Sequence, residues 1–477
     1  NYISDVIESP VRYANNTTGS VKWYQFKIPI RQPGKTVGEV DIQNIRFIRM
    51  YMKNFESPVV LRFARLELLR GDWRTYLYSL LGPGEYAPTP EVPGETEFDI
   101  SNVSIEENGA RDPIPYVVPP GIVRERDITT TQTANLNEAS LSMRVCKLAD
   151  GDARAAYRNT QLDLRSYKKV RMFAHAETRG AVDDLQDGEL HLFVRLGTDL
   201  SQNYYEYDIP LVVTRWNNSA PEAVWPSSND LEIDLEKLIN VKLQRNNAQL
   251  TNSNITLLTP FTVTDGNRTI TVKGSPNLSN VRSVMIGVRN PKDPGGTGRK
   301  LCAEVWVNEM RMTDFDEAGG WAATARLSAK LADLGNMTLV GNKNTAGWRS
   351  IEKKVNEQDR FNRTSYDFTT NIELGKFLPE KSGIKVPMYF AYGESFVNPE
   401  FNPLDPDVVL TKALDATPNS EVRDSLARQT QDYTQRKSVN FTNVRKTKTG
   451  ANAKSHIYDV ENLNFTYVYN ELYQRNY

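Results

Sequence analysis

The sequence predicts a mainly β protein in two parts: sandwich modules of jelly-roll type, then antiparallel strands patterned like an outer-membrane barrel wall. Three observations predict it. Short runs rich in Val, Tyr, Phe, Met and Thr, bounded by Gly, Asp, Asn or Pro, recur between residues 137 and 316. A phrase of about nine residues occurs twice, as duplicated β-modules would show. From residue 319 onward, apolar and polar residues alternate strictly. Composition limits the rest. With 58 Lys+Arg against 59 Asp+Glu the net charge is −1, so no cation excess exists to bind nucleic acid. A mean hydropathy of −0.53 and the lack of any apolar run of about 18 residues exclude a helical membrane protein. They leave a membrane β-barrel open, because its strands need an apolar residue only at every second position.

The N-terminal segment, residues 1–81, is expected to be a partial sandwich module holding only its C-terminal strands, Val21–Ile30, Ile45–Met52 and Val59–Leu69. No initiator Met, basic stretch or apolar leader opens the chain, and a piece of a longer polypeptide is expected. The repeat lies here: Asn44-Ile-Arg-Phe-Ile-Arg-Met-Tyr-Met returns as Asn280-Val-Arg-Ser-Val-Met-Ile-Gly-Val. Further along, Glu67 answers Glu309, Asp72 answers Asp314 and Trp73 answers Phe315. Both copies have the form of a closing hairpin. Residues 82–136 carry Pro at 83, 88, 90, 93, 113, 115, 119 and 120. Pro lacks the amide donor of a central strand, so an extended connector is expected. Its Tyr116-Val-Val-Pro-Pro-Gly-Ile stretch is too apolar for solvent and should lie against a domain.

Residues 137–318 form the complete jelly-roll-like β-sandwich. Its strands are expected at Ala139–Val145, Val170–Ala176, Leu190–Leu196, Tyr204–Pro210, Thr269–Lys273, Val281–Val288 and Leu301–Met312, with one helix from Asp230 to Arg245. Leu190, Phe193 and Leu196 break simple alternation, which implies strands buried on both faces. Cys146 and Cys302 are read as two small buried hydrophobes in preference to a disulfide.

Residues 319–477 are the wall segment, about six strands with a tight turn at Asp333-Leu-Gly-Asn336 and long loops at 341–362 and 398–437. Trp321, Leu327, Phe368, Ile372, Phe390, Phe465 and Tyr467 fall on the apolar side. Arg326, Lys330, Asp367, Asn371, Glu373 and Asn464 fall on the polar side. In a soluble sheet the polar side faces bulk water; in a barrel the apolar side faces lipid and the polar side a wet lumen. Strands of about nine to twelve residues and loops of unequal length favour the barrel. Six strands are too few to close one, so further strands must come from elsewhere.

No catalytic constellation, cofactor site or metal site is expected. His175, His191 and His456 lack partners at ligand spacing. Pro294-Gly-Gly-Thr-Gly-Arg-Lys300 lacks Gly-Lys-Ser/Thr and leads into a strand, so it is a hairpin turn rather than a phosphate loop. The acidic clusters Asp314, Asp316, Glu317 and Asp405, Asp407 are read as solvated turns rather than calcium sites.

Four phrases carry a resemblance. Ala303-Glu-Val-Trp-Val-Asn runs on into Glu309-Met-Arg-Met-Thr-Asp-Phe-Asp-Glu-Ala-Gly-Gly-Trp-Ala-Ala; Asp99-Ile-Ser-Asn-Val-Ser-Ile-Glu-Glu-Asn-Gly and Pro113-Ile-Pro-Tyr-Val-Val-Pro-Pro-Gly-Ile precede them. The chain resembles the SprA family, called Sov in some members, the outer-membrane translocon of the type IX secretion system. The resemblance implies a fragment of a large transmembrane β-barrel that exports folded proteins and serves gliding motility. It implies no enzymatic activity and a location in the cell outer membrane, with residues 1–316 as extracellular cap domains. It also implies a PorV-like partner barrel, a periplasmic plug protein and secreted cargo proteins as partners. The competing expectation is an extracellular carbohydrate-binding β-sandwich protein, with Trp216, Trp225 and Tyr204 exposed to stack on sugar rings.

Overall fold

Every long run of β-forming residues needs a partner surface, and a computed structural model shows which runs find one. The structure describes residues 3–28, 47–64, 71–78, 96–126, 135–179, 184–295, 298–353, 357–449 and 456–476, with positions 30, 35, 37, 38, 66 and 80. At the start, β1 (Ile3–Arg12) and β2 (Thr18–Phe26) form an antiparallel two-stranded sheet. Of the strands expected at Ile45–Met52 and Val59–Leu69, residues 47–52, 59–64 and 66 are not in strand; the others lie outside the described residues. Phe47, Ile48, Tyr51, Val60 and Phe63 are exposed there. β-propensity without a packed neighbour does not make a strand.

The sandwich consists of two sheets. Its elements run in order: β3 (Arg74–Thr75), β4 (Glu97–Ser104), α1 (Ile105–Asn108), β5 (Ala139–Leu148), β6 (Ala153–Leu162), β7 (Tyr167–Thr178), β8 (His191–Gly197) and β9 (Tyr204–Pro210). There follow α2 (Pro221–Val224), β10 (Leu231–Asp234), α3 (Leu235–Thr251), β11 (Phe261–Asp265), β12 (Arg268–Lys273), β13 (Val281–Arg289) and β14 (Leu301–Phe315). One sheet has the order β10-β7-β14-β5-β4, the other β11-β12-β9-β8-β13-β6-β3. Met143, Val145, Ala174, Ala176, Val305 and Val307 of the first meet Leu192, Val194, Leu196, Tyr205, Ile209 and Ile286 of the second in a dry centre. Each fully buried aliphatic or aromatic side chain contributes about 1.5–3 kcal/mol.

Both outer faces are covered as well. Phe193 turns away from the centre and packs with Met285, Ala155, Tyr76 and Leu80, which accounts for the broken alternation around it. On the other side, Trp306, Trp225, Tyr116, Ile114 and Val103 form a third cluster. Tyr116 therefore lies against the sandwich, with its hydroxyl 2.8 Å from Ser140 Oγ.

Four local expectations change. Glu97–Ser104, inside the Pro-rich stretch, is a strand paired with β5 over its whole length; it falls between the prolines. The first residues of the expected helix form β10 instead, and α3 starts one residue after Asp234, whose side chain accepts a hydrogen bond from Glu236 N. The run through Pro294–Lys300 is not a hairpin turn: β13 pairs with β6 and β8, β14 with β5 and β7, so the connection crosses from sheet to sheet. Asn290 secures the crossing by donating to Leu148 O (3.0 Å) and Arg299 O (2.8 Å). Finally, Cys146 and Cys302 are half-buried and joined by a disulfide, where the pairing of β5 with β14 shifts between Leu301 and Ala303.

The C-terminal part is built on a further, separate sheet. Its strands are β15 (Ala322–Leu331), β16 (Gly335–Asn344), β17 (Phe361–Glu373), β18 (Ile384–Lys385) and β19 (Pro387–Pro399). After them come β20 (Phe401–Asn402), β21 (Asp405–Val409), α4 (Leu410–Asp415), α5 (Ser420–Gln429), β22 (Asp432–Lys446) and β23 (Asn464–Arg475). The long strands are all antiparallel, in the order β15-β16-β17-β19-β22-β23, while β18 pairs with the far end of β22. No closed barrel forms among the described residues.

Candidate lipid face, polar face and cap junction

Directly paired residues share a face of a sheet, so the register sorts every side chain. Leu327 pairs with Leu339, Leu339 with Phe368, and Phe368 with Tyr392. Ile372 stands opposite Met388, Phe390 opposite Val439 and Phe441 opposite Tyr467, all on that same side. Phe465, two residues from Tyr467, lies there too, and a bulge in β22 between Phe441 and Val444 sets Val444 opposite it. Trp321 precedes β15, with Lys343 Nζ 5.8 Å from its ring. Arg326, Val340 and Asp367 line up on the opposite side, as do Lys330, Asn336 and Asn371, with Glu373 and Asn464. The alternation read from sequence thus becomes two continuous faces.

What covers the apolar face decides its chemistry. No Val, Ile, Leu, Met, Phe, Tyr or Trp in these six strands is buried. Leu327 is 60% exposed, Phe465 62% and Tyr467 49%, whereas the sandwich interior is dry. The polar face hydrogen-bonds to itself, through Thr324 Oγ1 to Asn342 (3.0 Å) and Ser438 Oγ to Asn470 (2.6 Å).

The apolar face carries a polar cluster near the sandwich end. The Glu394 carboxylate accepts hydrogen bonds from the hydroxyls of Tyr366, Tyr392 (2.5 Å) and Tyr433 (2.7 Å), and from Gln435 Nε2 (3.0 Å). Beside it Lys437 and Glu471 form an ion pair at 3.7 Å.

The sheet is tied to the sandwich at one end. The segment connecting β19 to β22, residues 400–431, carries Asp407, which is fully buried. Its oxygens accept from Lys242 Nζ (2.9 Å), Tyr205 hydroxyl (2.8 Å) and Leu278 N (3.1 Å), all in the sandwich. Lys242 also pairs with Asp405. Burial raises the Asp405 carboxyl above its ordinary range; Lys242 opposes the rise and Asp407 adds to it. Arg165 of the sandwich and Arg360 of the sheet both stack on Phe401, at 4.9 and 5.3 Å. Arg360 also donates to Ser166 Oγ at 2.7 Å. The Asp405/Asp407 cluster is therefore no solvated turn but a buried anchor. One sign of it was available, Val408, Val409 and Leu410 directly after the acids; its lysine, on a helix more than 160 residues earlier, was not foreseeable.

A second buried charge group fastens the segment 105–117. Arg111 Nη2 lies 2.5 Å from Glu177 and 3.0 Å from Glu304, and Arg144 Nε lies 3.1 Å from Glu304. Burial opposes a charge on Glu304, yet Arg111 and Arg144, with hydrogen bonds from Trp306 and Ser142, hold the carboxyl down at about 2. His175, fully buried, stacks on Trp306 at 4.0 Å and bonds Val224 O at 2.8 Å. Among the described residues no group of three or more His, Cys, Asp or Glu is placed to hold a metal ion. The expected sugar platform is absent: Trp225 and Tyr204 are buried, and Trp216 is half-buried against the Trp306 cluster. Trp225 spends its Nε1 on Val117 O at 2.7 Å.

No helix in the described chain is long and apolar enough to cross a membrane, which says nothing of strands. No curated protein matches the chain. The model of one family, SprA_N, described as a motility related/secretion protein, matches residues 1–414. That span takes in the sandwich, its junction and the first four long strands of the sheet, and on it the chain belongs to the SprA_N family of motility-related secretion proteins.

Proposed function

We propose that residues 319–477 are part of the wall of a large outer-membrane β-barrel translocon, a channel through which folded proteins are secreted by the type IX route that also serves gliding motility. The observation that carries this reading is an open sheet whose apolar face is covered by nothing among the described residues. In water such a face is costly; against hydrocarbon it is not. Trp321, Leu327, Phe368, Ile372, Phe390, Phe465 and Tyr467 face lipid, and Arg326, Lys330, Asp367, Asn371, Glu373 and Asn464 face the aqueous lumen. The sandwich caps the channel outside the cell, at the strand ends where 400–431 anchors it. The disulfide accords with an oxidising, extracytoplasmic compartment. Passage of folded cargo needs no reaction chemistry. Permeability is controlled by the cap, by the connections within 341–362 and 398–437, by a periplasmic plug protein and by a PorV-like partner barrel.

Two measurements test this. The protein should sediment with the outer membrane and require detergent for release. Single cysteines at Asp367 and Asn464 should react with a water-soluble maleimide while Phe368→Cys and Tyr467→Cys stay silent. The reverse pattern, or recovery in the soluble fraction, defeats the proposal.

A further inference from the structure

The edge of the apolar face does not follow the register. At the end nearer the sandwich, the first polar residue on this face is Lys343 on β16 and Thr364 on β17, both level with Ala323. On β19 it is Glu394, level with Ala325. On β22 and β23 it is Lys437 and Glu471, level with Leu327, Leu339 and Phe368. The margin thus moves steadily in one direction across the sheet. The opposite margin moves the same way: on β15 the apolar side ends at Leu331 before Asp333, which is paired with Lys376 at 2.7 Å. On β23, by contrast, it runs past Tyr467, the residue level with Leu331, through Phe465 to Leu463. The apolar area is a slanted band.

A flat boundary cutting tilted strands leaves such a band. From Lys343 to Glu471 the margin advances four residues, about 14 Å, while crossing four strand spacings, about 19 Å, an angle of about 35°. Barrel strands in membranes tilt by about 35–45°. We infer that this slanted margin is the line where the wall leaves the hydrocarbon, so that Glu394, Lys437 and Glu471 lie in the lipid headgroup layer although Leu327 and Phe368, level with them in the sheet, lie within the bilayer. The inference rests on the wall reading above and adds to it the height of each strand in the membrane.

The side chains along the line suit that layer. Lys343 carries its charge over the Trp321 ring, and Tyr366, Tyr392 and Tyr433 gather at the margin with their hydroxyls donated to Glu394. Tyrosine and tryptophan, apolar in body and polar at the tip, collect at bilayer interfaces. Tyr433 and Tyr473, beyond the line, pack together at 5.9 Å. A protein partner seated on this patch would not require its edge to run at the strand tilt. Lipid requires it.

The test uses the full chain in outer membranes, with single cysteines at Leu327, Phe368, Lys437 and Glu471, and a charged, bilayer-impermeant maleimide. Gln435→Cys serves as a second reporter beyond the margin on β22. Modification of Lys437→Cys, Glu471→Cys and Gln435→Cys at least tenfold faster than Leu327→Cys and Phe368→Cys is the expected result. Equal rates along the level, fast or slow, overturn the slanted margin. Ile372→Cys and Phe441→Cys, well inside the band, separate the two failures: if they stay slow the wall reading survives without the slant, and if they react quickly the membrane placement itself is lost.

Discussion

Glu304 shows how a single buried residue makes stability depend on pH. Its carboxyl titrates at about 2 in the folded chain, below an ordinary 4.5. The charged form is the one the fold prefers, so its contribution is complete above the ordinary value and disappears as pH falls through the folded one. Unfolding followed by tryptophan fluorescence, with Trp306 donating to this carboxylate at 2.9 Å, should show stability falling between about pH 5 and pH 2. In Glu304→Gln that fall should shrink. At neutral pH the same substitution should cost about 3–5 kcal/mol, because Arg111 and Arg144 lose a buried counter-charge. Unchanged stability would mean that the guanidinium groups find water instead.

At the scale of elements, β21 is the joint between the sandwich and the C-terminal sheet. Asp407→Ala removes the hydrogen bonds that Lys242, Tyr205 and Leu278 direct at it, at about 3–5 kcal/mol. Opening of the joint exposes α4, so trypsin should cut at Lys412 at least about tenfold faster in the variant than in the parent chain. Equal cutting would show that Phe401 and its two arginines hold the joint alone. Elements differ in how far the sequence reveals them. The bounds of β9 are those expected, because Tyr204 to Pro210 is a compact run of β-forming residues ended by proline. The strands of the C-terminal sheet were legible for a related reason: a one-sided surface writes itself into alternate positions. β6 was invisible. Its Ala153, Ala155 and Ala156 carry little β-propensity; they are in a strand because β6 pairs with β13, with Ala153 and Ala155 packed against Phe193 and Met285 on one face and Ala156 in the central core on the other. Sheet-to-sheet crossings such as the one after β13 were equally hidden, since turn residues look alike whichever sheet follows.

For the whole molecule, fold class was the most legible property and partnership between distant segments the least. Composition, strand spacing and alternation are statistical and survive without coordinates. The Asp407–Lys242 pair, the half-buried Cys146–Cys302 bond and the burial of Trp225 and Tyr204 depend on which segments meet. The faces of the C-terminal sheet fall between these extremes: alternation assigned each residue to a side, but only the register set Leu327 level with Glu471.

The bond between Cys146 and Cys302 has a mechanical meaning for a protein of motility and secretion. It encloses a span of 156 residues, most of both sandwich sheets, in a covalent ring. Pulling force applied at the two ends of the chain passes directly from one sulfur to the other and bypasses everything within the ring. Stretched by an optical trap, the oxidised chain should therefore come up short by roughly 500 Å of contour, at about 3.4 Å per enclosed residue. A reductant should restore that length; identical traces with and without it would show that the ring carries no load-sparing role.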